Sequence, residues 1–110
     1  LPALLADEMV NAPTVILVYS AASGVAASST FPGVQNLLLS ARALGLGTVL
    51  TTLHPEVMER VNAMFGVPED MAFHCCIPLG YPRGNFGPTS RLPTSETTSW
   101  DRWGQSPPWK

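Results

Sequence analysis

The chain has 110 residues, 45% of them hydrophobic and 13% charged, with a formal net charge of −2. That balance suits one small globular domain rather than a disordered chain. Arg42, Arg60, Arg83, Arg91, Arg102 and Lys110 are scattered rather than gathered into a basic stripe, and no apolar run approaches the ~20 residues of a membrane span, so neither nucleic acid nor a bilayer is an expected partner.

The sequence opens LPALLADEMVNAP, with no initiating Met and no signal-peptide pattern, and reads as part of a longer protein. Leu1, Leu4, Leu5 and Met9 share one side of a helix end that Pro13 stops. TVILVYS, residues 14–20, is β-branched and continuously apolar, the pattern of a buried strand. Residues 21–30 are Ala, Ser and Gly with a single Val and a closing Thr, and make a loop or the start of a helix built from small residues.

Residues 31–53, FPGVQNLLLSARALGLGTVLTTL, organise the rest. Val34, Leu37, Leu38 and Ala41 recur at i, i+3, i+4 and i+7, the apolar face of a helix. Leu39 and Leu44 widen the stripe, which predicts a helix buried on most sides. Pro32 suits its first turn, Gly45 its left-handed C-cap and Gly47 a close turn onto a strand over 48–52. His54-Pro55-Glu56 opens a second helix, with Val57, Met58, Val61, Met64 and Phe65 as its apolar side and Gly66 and Pro68 as its stop. Met71 to Leu79 reads as a third strand interrupted late by Pro78. From Gly80 onward the chain is rich in Pro, Gly, Ser and Thr without periodicity, an extended arm. Strand, helix, strand, helix, strand, arm describes an α/β or α+β layer with helices covering a sheet.

Arg91 is the sharpest candidate for chemistry. It stands in Thr89-Ser90-Arg91-Leu92-Pro93 with no acidic residue within four positions, and a guanidinium beside hydroxyls suits an anion; the competing reading is a solvated surface arginine. Thr51 and Thr52 put hydroxyls at a strand end, which propensity alone also explains. Gly45-Leu46-Gly47 follows a helix and lacks the spacing of a dinucleotide fingerprint. Gln35 and Asn36 read as a structural pair bonding nearby backbone. His54 and His74 stand in no metal-ligand pattern. His74, Cys75 and Cys76 alternate faces along a strand, and the adjacent cysteines suit core packing in a reducing, cytoplasmic setting better than a disulfide or a nucleophile. No catalytic or metal-ligating side chain is singled out. Trp100, Trp103 and Trp109 in a polar tail read as anchors on a neighbouring surface.

QNLLLSARALGLGTVLTT, IPLGYP (residues 77–82), SRLP (90–93) and WDRWG (100–104) together resemble, in the same order, the FMN-dependent nitroreductase family, especially its actinobacterial-type members. The similarity covers roughly residues 13–104. It implies an α+β nitroreductase-like fold, with helices packed on a central mixed sheet. Residues 1–110 would be the C-terminal part of that domain, its core about 13–82 and its arm about 83–110. It further implies an FMN-dependent oxidoreductase that passes hydride from NAD(P)H through flavin to a nitroaromatic, quinone or similar small-molecule acceptor, working as a homodimer with flavin at the interface. By that resemblance the cofactor-binding residues are Thr51, Thr52 and Leu53, whose backbone passes the flavin ring, and Arg91, which grips the FMN phosphate. Two departures stand out: Thr89 occupies a position where many members carry Lys, and Thr52-Leu53 replaces the acidic-Gly pair of some. A non-catalytic scaffold or interaction domain that has lost the flavin is the alternative these departures leave open.

Overall fold

Residues 71–80 form the strand around which the fold is built. The computed structural model describes residues 9–109, and in it β1 (Thr14–Ala21), α1 (Ala26–Ala43), β2 (Gly47–Thr48), α2 (Pro55–Phe65), β3 (Met71–Gly80) and α3 (Thr94–Thr97) follow in chain order. β3 is central in a sheet of order β1-β3-β2. The α+β expectation holds, and among the described residues both pairings are antiparallel rather than mixed. Of the helix end expected before Pro13, residues 1–8 lie outside the described part, and Met9–Asn11 is a single 3-10 turn.

Pro78 does not interrupt β3, contrary to the sequence reading; it breaks the neighbouring strand instead. Against β1 the strand continues, with Pro78 opposite Val15. Against β2 the ladder pairs Thr48 with Leu79, lapses, and resumes at Thr51, which exchanges both backbone bonds with Cys76 at 3.0 and 2.8 Å. Backbone groups alternate sides along a strand, so those of residue 78 face β2, as those of Cys76 do. Proline has no N–H to give there, and the strand expected over 48–52 shrinks to Gly47–Thr48 plus one bridge at Thr51.

A β-bulge between Val18 and Tyr19 sets two residues of β3, His74 and Cys75, opposite one of β1. The strict alternation expected across His74 and Cys75 is therefore lost. His74 meets the Phe31 ring edge-on at 5.8 Å, while Cys75 packs with Val34 and Ile77, all three buried, and Ile16, Val18, Phe31, Leu37 and Leu38 close around them. This is the core between α1 and the sheet. On the other face, Tyr19 stacks edge-on with Phe73 and donates its hydroxyl to Asn62 Oδ1 of α2 at 2.6 Å.

α1 begins at Ala26 rather than near 31, so Pro32 falls inside its second turn, not its first. The Ala/Ser run is helical enough to carry the helix back past a proline that withholds one bond, that to the Ser28 carbonyl. Val34 and Ala41 are buried as the period predicts, but Leu39 and Leu44 are 58% and 77% exposed. The helix is thus covered along one stripe, not on most sides. Gln35 and Asn36 are exposed, and among the described residues their side chains do not make the bonds to nearby backbone that the sequence suggests. In α2, Met58 is buried and Val61 half-buried, whereas Met64 and Phe65 remain open.

Both helices stop as their glycines foretell. Gly45 has φ +80°, with the Leu46 N–H donating to Ala41 and the Gly45 N–H to Arg42; Gly66 has φ +66°, with Val67 donating to Asn62. These are the paired bonds of a left-handed helix stop. Beyond β3 residues 81–94 of the arm are all exposed, and the radius of gyration, 17.8 Å, exceeds the roughly 13 Å of a closed domain of about this size. Among the described residues, no helix is long and apolar enough to cross a membrane.

Candidate functional site

Thr51, Thr52 and Leu53 lie where the edge strand of the sheet gives way to α2. The Thr51 backbone is committed to Cys76, so alternation turns the Thr52 N–H and carbonyl away from β3, off the open edge. No described residue accepts a backbone hydrogen bond from the Thr52 or Leu53 N–H. Thr52 is exposed and Leu53 half-buried. His54 then caps α2, its Nδ1 accepting from the Glu56 N–H at 3.3 Å, with Pro55 in the first turn. The positive end of the α2 dipole thus begins immediately after Leu53. This edge offers N–H donors without a backbone partner among the described residues, beside a helix N-terminus whose first turn also carries Glu56.

Arg91 is exposed in the arm and lines a shallow hollow with Ser90, Leu92, Thr94 and Thr97. The lining carries one cation and three hydroxyls and no carboxylate, which suits an anion. Two of the hydroxyls are partly engaged: Thr94 Oγ1 accepts from Trp109 Nε1 at 3.3 Å, and Thr97 Oγ1 donates to the Thr94 carbonyl at 3.2 Å. None of Thr51, Thr52 and Leu53 belongs to this hollow. The structure therefore presents the sequence candidates as two separate places, a sheet edge and an arm.

The other polar and reactive groups are structural. Ser20 Oγ and His74 Nε2 lie 2.7 Å apart and share a hydrogen bond that ties β1 to β3 beside the bulge. Burial pushes the Cys75 thiol up from its ordinary value, and burial reinforced by Cys75 does the same to Cys76; both are free and fully covered, so neither is a nucleophile. Among the described residues no cluster of three metal-ligating side chains exists. The tryptophans divide: Trp100 and Trp109 stack edge-on at 5.4 Å, whereas Trp103 is 98% exposed. Sequence reasoning missed the Ser20–His74 pair and the seating of Arg42 against Phe86, because contacts so distant along the chain leave no local pattern.

A profile described as the Nitroreductase family matches residues 2–81. The chain belongs to the nitroreductase family. The match includes Thr51, Thr52 and Leu53 and ends before the arm that carries Arg91. A protein of Methanothermobacter thermautotrophicus with the provisional name NADH dehydrogenase/NAD(P)H nitroreductase is 44% identical over 55 residues, which cover 48% of this chain and 29% of the relative. The chain thus aligns with under a third of that curated relative. Among solved structures, one of the same provisional name from Bacteroides thetaiotaomicron superposes with a TM-score of 0.71 at 26% identity, covering 88% of this chain and 66% of that one. An iodotyrosine deiodinase, crystallised with FMN and 3-iodo-L-tyrosine, shares the nitroreductase-like fold with a TM-score of 0.63 at 21% identity, covering 94% and 57% of the two chains.

Proposed function

We propose that the protein is an FMN-dependent oxidoreductase that takes hydride from NAD(P)H and passes it to a nitroaromatic, quinone or similar small acceptor. Membership of the nitroreductase family over residues 2–81 carries this reading, and the names of the relatives and the FMN held by the deiodinase of the same fold support it. The residues present suit the cofactor. Arg91 and the Ser90 hydroxyl, in a hollow free of carboxylates, match a phosphate. The unpaired Thr52 and Leu53 N–H groups match the polar edge of an isoalloxazine ring, with Thr51 fixed behind them by its bridge to Cys76.

When bound, FMN supplies the two-electron chemistry, so no side-chain acid or base is called for. The chain's part is to bind and orient: Arg91 neutralises phosphate charge, and the Thr52 edge with the α2 N-terminus stabilises negative charge next to it. The uncovered apolar side chains of Leu39 on α1, of Leu44 at its C-cap and of Trp103 in the arm favour a homodimer with the flavin at its interface. Two buried free thiols accord with the reducing cytoplasm.

Calorimetric titration of the full-length protein with FMN tests this reading. One FMN per chain is expected. Loss of a charge-assisted contact costs about 1.5–3 kcal/mol, so Arg91→Ala weakens binding roughly 10- to 150-fold. Undiminished affinity in that variant would remove Arg91 from the site. Thr89 in place of Lys favours the second reading, a scaffold that has lost the flavin; absence of any FMN uptake by the full-length protein would establish it.

A further inference from the structure

We propose that Arg42 and Phe86 form a latch that positions the arm, and with it Arg91, relative to the sheet. The proposal rests on the flavin reading for its functional consequence and on geometry for the latch itself. Arg42 stands in the last turn of α1, and its Cζ lies 4.5 Å from the centroid of the Phe86 ring. That is a cation–π contact between the body of the fold and the middle of the arm.

The arm has little else there to hold it. Residues 81–94 are all exposed, and no backbone hydrogen bond involves residues 84–92 among the described residues. The hollow around Arg91 is built from arm residues alone, so it moves with the arm. Upstream, the ladder ends at Gly80, opposite Gly47. From Gly80 to Arg91 is eleven residues, and from Phe86 only five. At about 3.3–3.6 Å per residue, the latch shortens the tether of Arg91 from at most ~40 Å to at most ~18 Å. For a flexible segment the cost of bringing its ends to a fixed place grows as 3/2 RT ln n, so lengthening the tether from five to eleven residues lowers the local concentration of Arg91 about threefold. Arg42 and Phe86 thus act as positioning residues.

FMN titration of the full-length protein and trypsin cleavage of the flavin-free protein test the latch together. Arg42→Ala and Phe86→Leu should each weaken FMN binding about threefold. The double variant should be no weaker than either single one, since each change opens the same contact. Arg42→Lys and Phe86→Tyr, which keep a cation and a ring, should bind as the parent does. In flavin-free protein, cleavage after Arg83 and Arg91 should speed up in Arg42→Ala and Phe86→Leu and stay at the parental rate in the conservative pair. Additive losses in the double variant, or cleavage rates unchanged by Arg42→Ala, would overturn the latch. Should the parent take up no FMN, the flavin reading fails, and the cleavage rates alone decide the latch.

Discussion

Truncating Ile77 probes the packing between α1 and the sheet. Ile77 is fully buried on the central strand, opposite Ile16 and in one cluster with Val34 and Cys75. Ile77→Ala leaves a cavity whose walls, a helix and a three-stranded sheet, cannot close without shifting both, and such changes cost about 2–5 kcal/mol. Ile77→Val, which removes a single methylene, costs about 0.5–1.5 kcal/mol. With a urea slope of about 2 kcal/mol/M, a loss near the middle of the first range lowers the midpoint by about 1.8 M, and the Val change by about 0.5 M. Far-UV circular dichroism is the probe to use on the full-length protein. Fluorescence of Trp100, Trp103 and Trp109 would report the arm, where all three stand, rather than the core. An Ala variant that loses under about 1 kcal/mol, or no more than the Val variant, would show that Ile77 is not a core residue.

The remaining predictions concern the thiols and a helix stop. Cys75 and Cys76 titrate higher folded than unfolded, because burial penalises the thiolate. Their contribution to stability is therefore complete below the ordinary thiol value of 9.0 and is lost as pH rises past it toward the raised folded values. Urea midpoints should fall more steeply above that pH in the parent than in a Cys75→Ala/Cys76→Ala variant, and parallel curves would contradict the assignment. At neutral pH, iodoacetamide labelling mapped by mass spectrometry should leave both cysteines unmodified until urea unfolds the protein. Gly66→Ala meets no neighbouring atom yet must hold φ +66°, so it should cost about 1 kcal/mol through the backbone alone; a neutral result would show that the α2 stop relaxes freely.

What the sequence revealed followed from local physics. The 3.6-residue period marked Val34, Leu37, Leu38 and Ala41 as one face; the first three pack against the sheet and Ala41 is buried. Gly45 and Gly66 announced helix stops because a left-handed residue disfavours any side chain. The misreadings arise where a residue acts through a neighbouring strand or where its burial depends on what packs against it. Pro78 is paired in its own strand and silences the next one. The bulge at His74 depends on how β1 and β3 are registered, which no stretch of β3 encodes alone. Leu39 and Leu44 are apolar, and their exposure shows that hydrophobicity marks a face to be covered without naming the cover. Of the candidate site, Thr51 to Leu53 were legible as a strand end, and Arg91 as a cation among hydroxyls. The commitment of the Thr51 backbone to Cys76 and the contact of Arg42 with the Phe86 ring are tertiary facts.

The visible absorption spectrum of the purified full-length protein, recorded before and after adding NADH or NADPH under nitrogen, tests the central proposal most directly. A bound-flavin spectrum that bleaches with the nicotinamide and returns when a quinone or nitroaromatic is added is the predicted result. A colourless protein that takes up no added FMN would contradict the oxidoreductase reading and leave a nitroreductase-family fold serving as a scaffold.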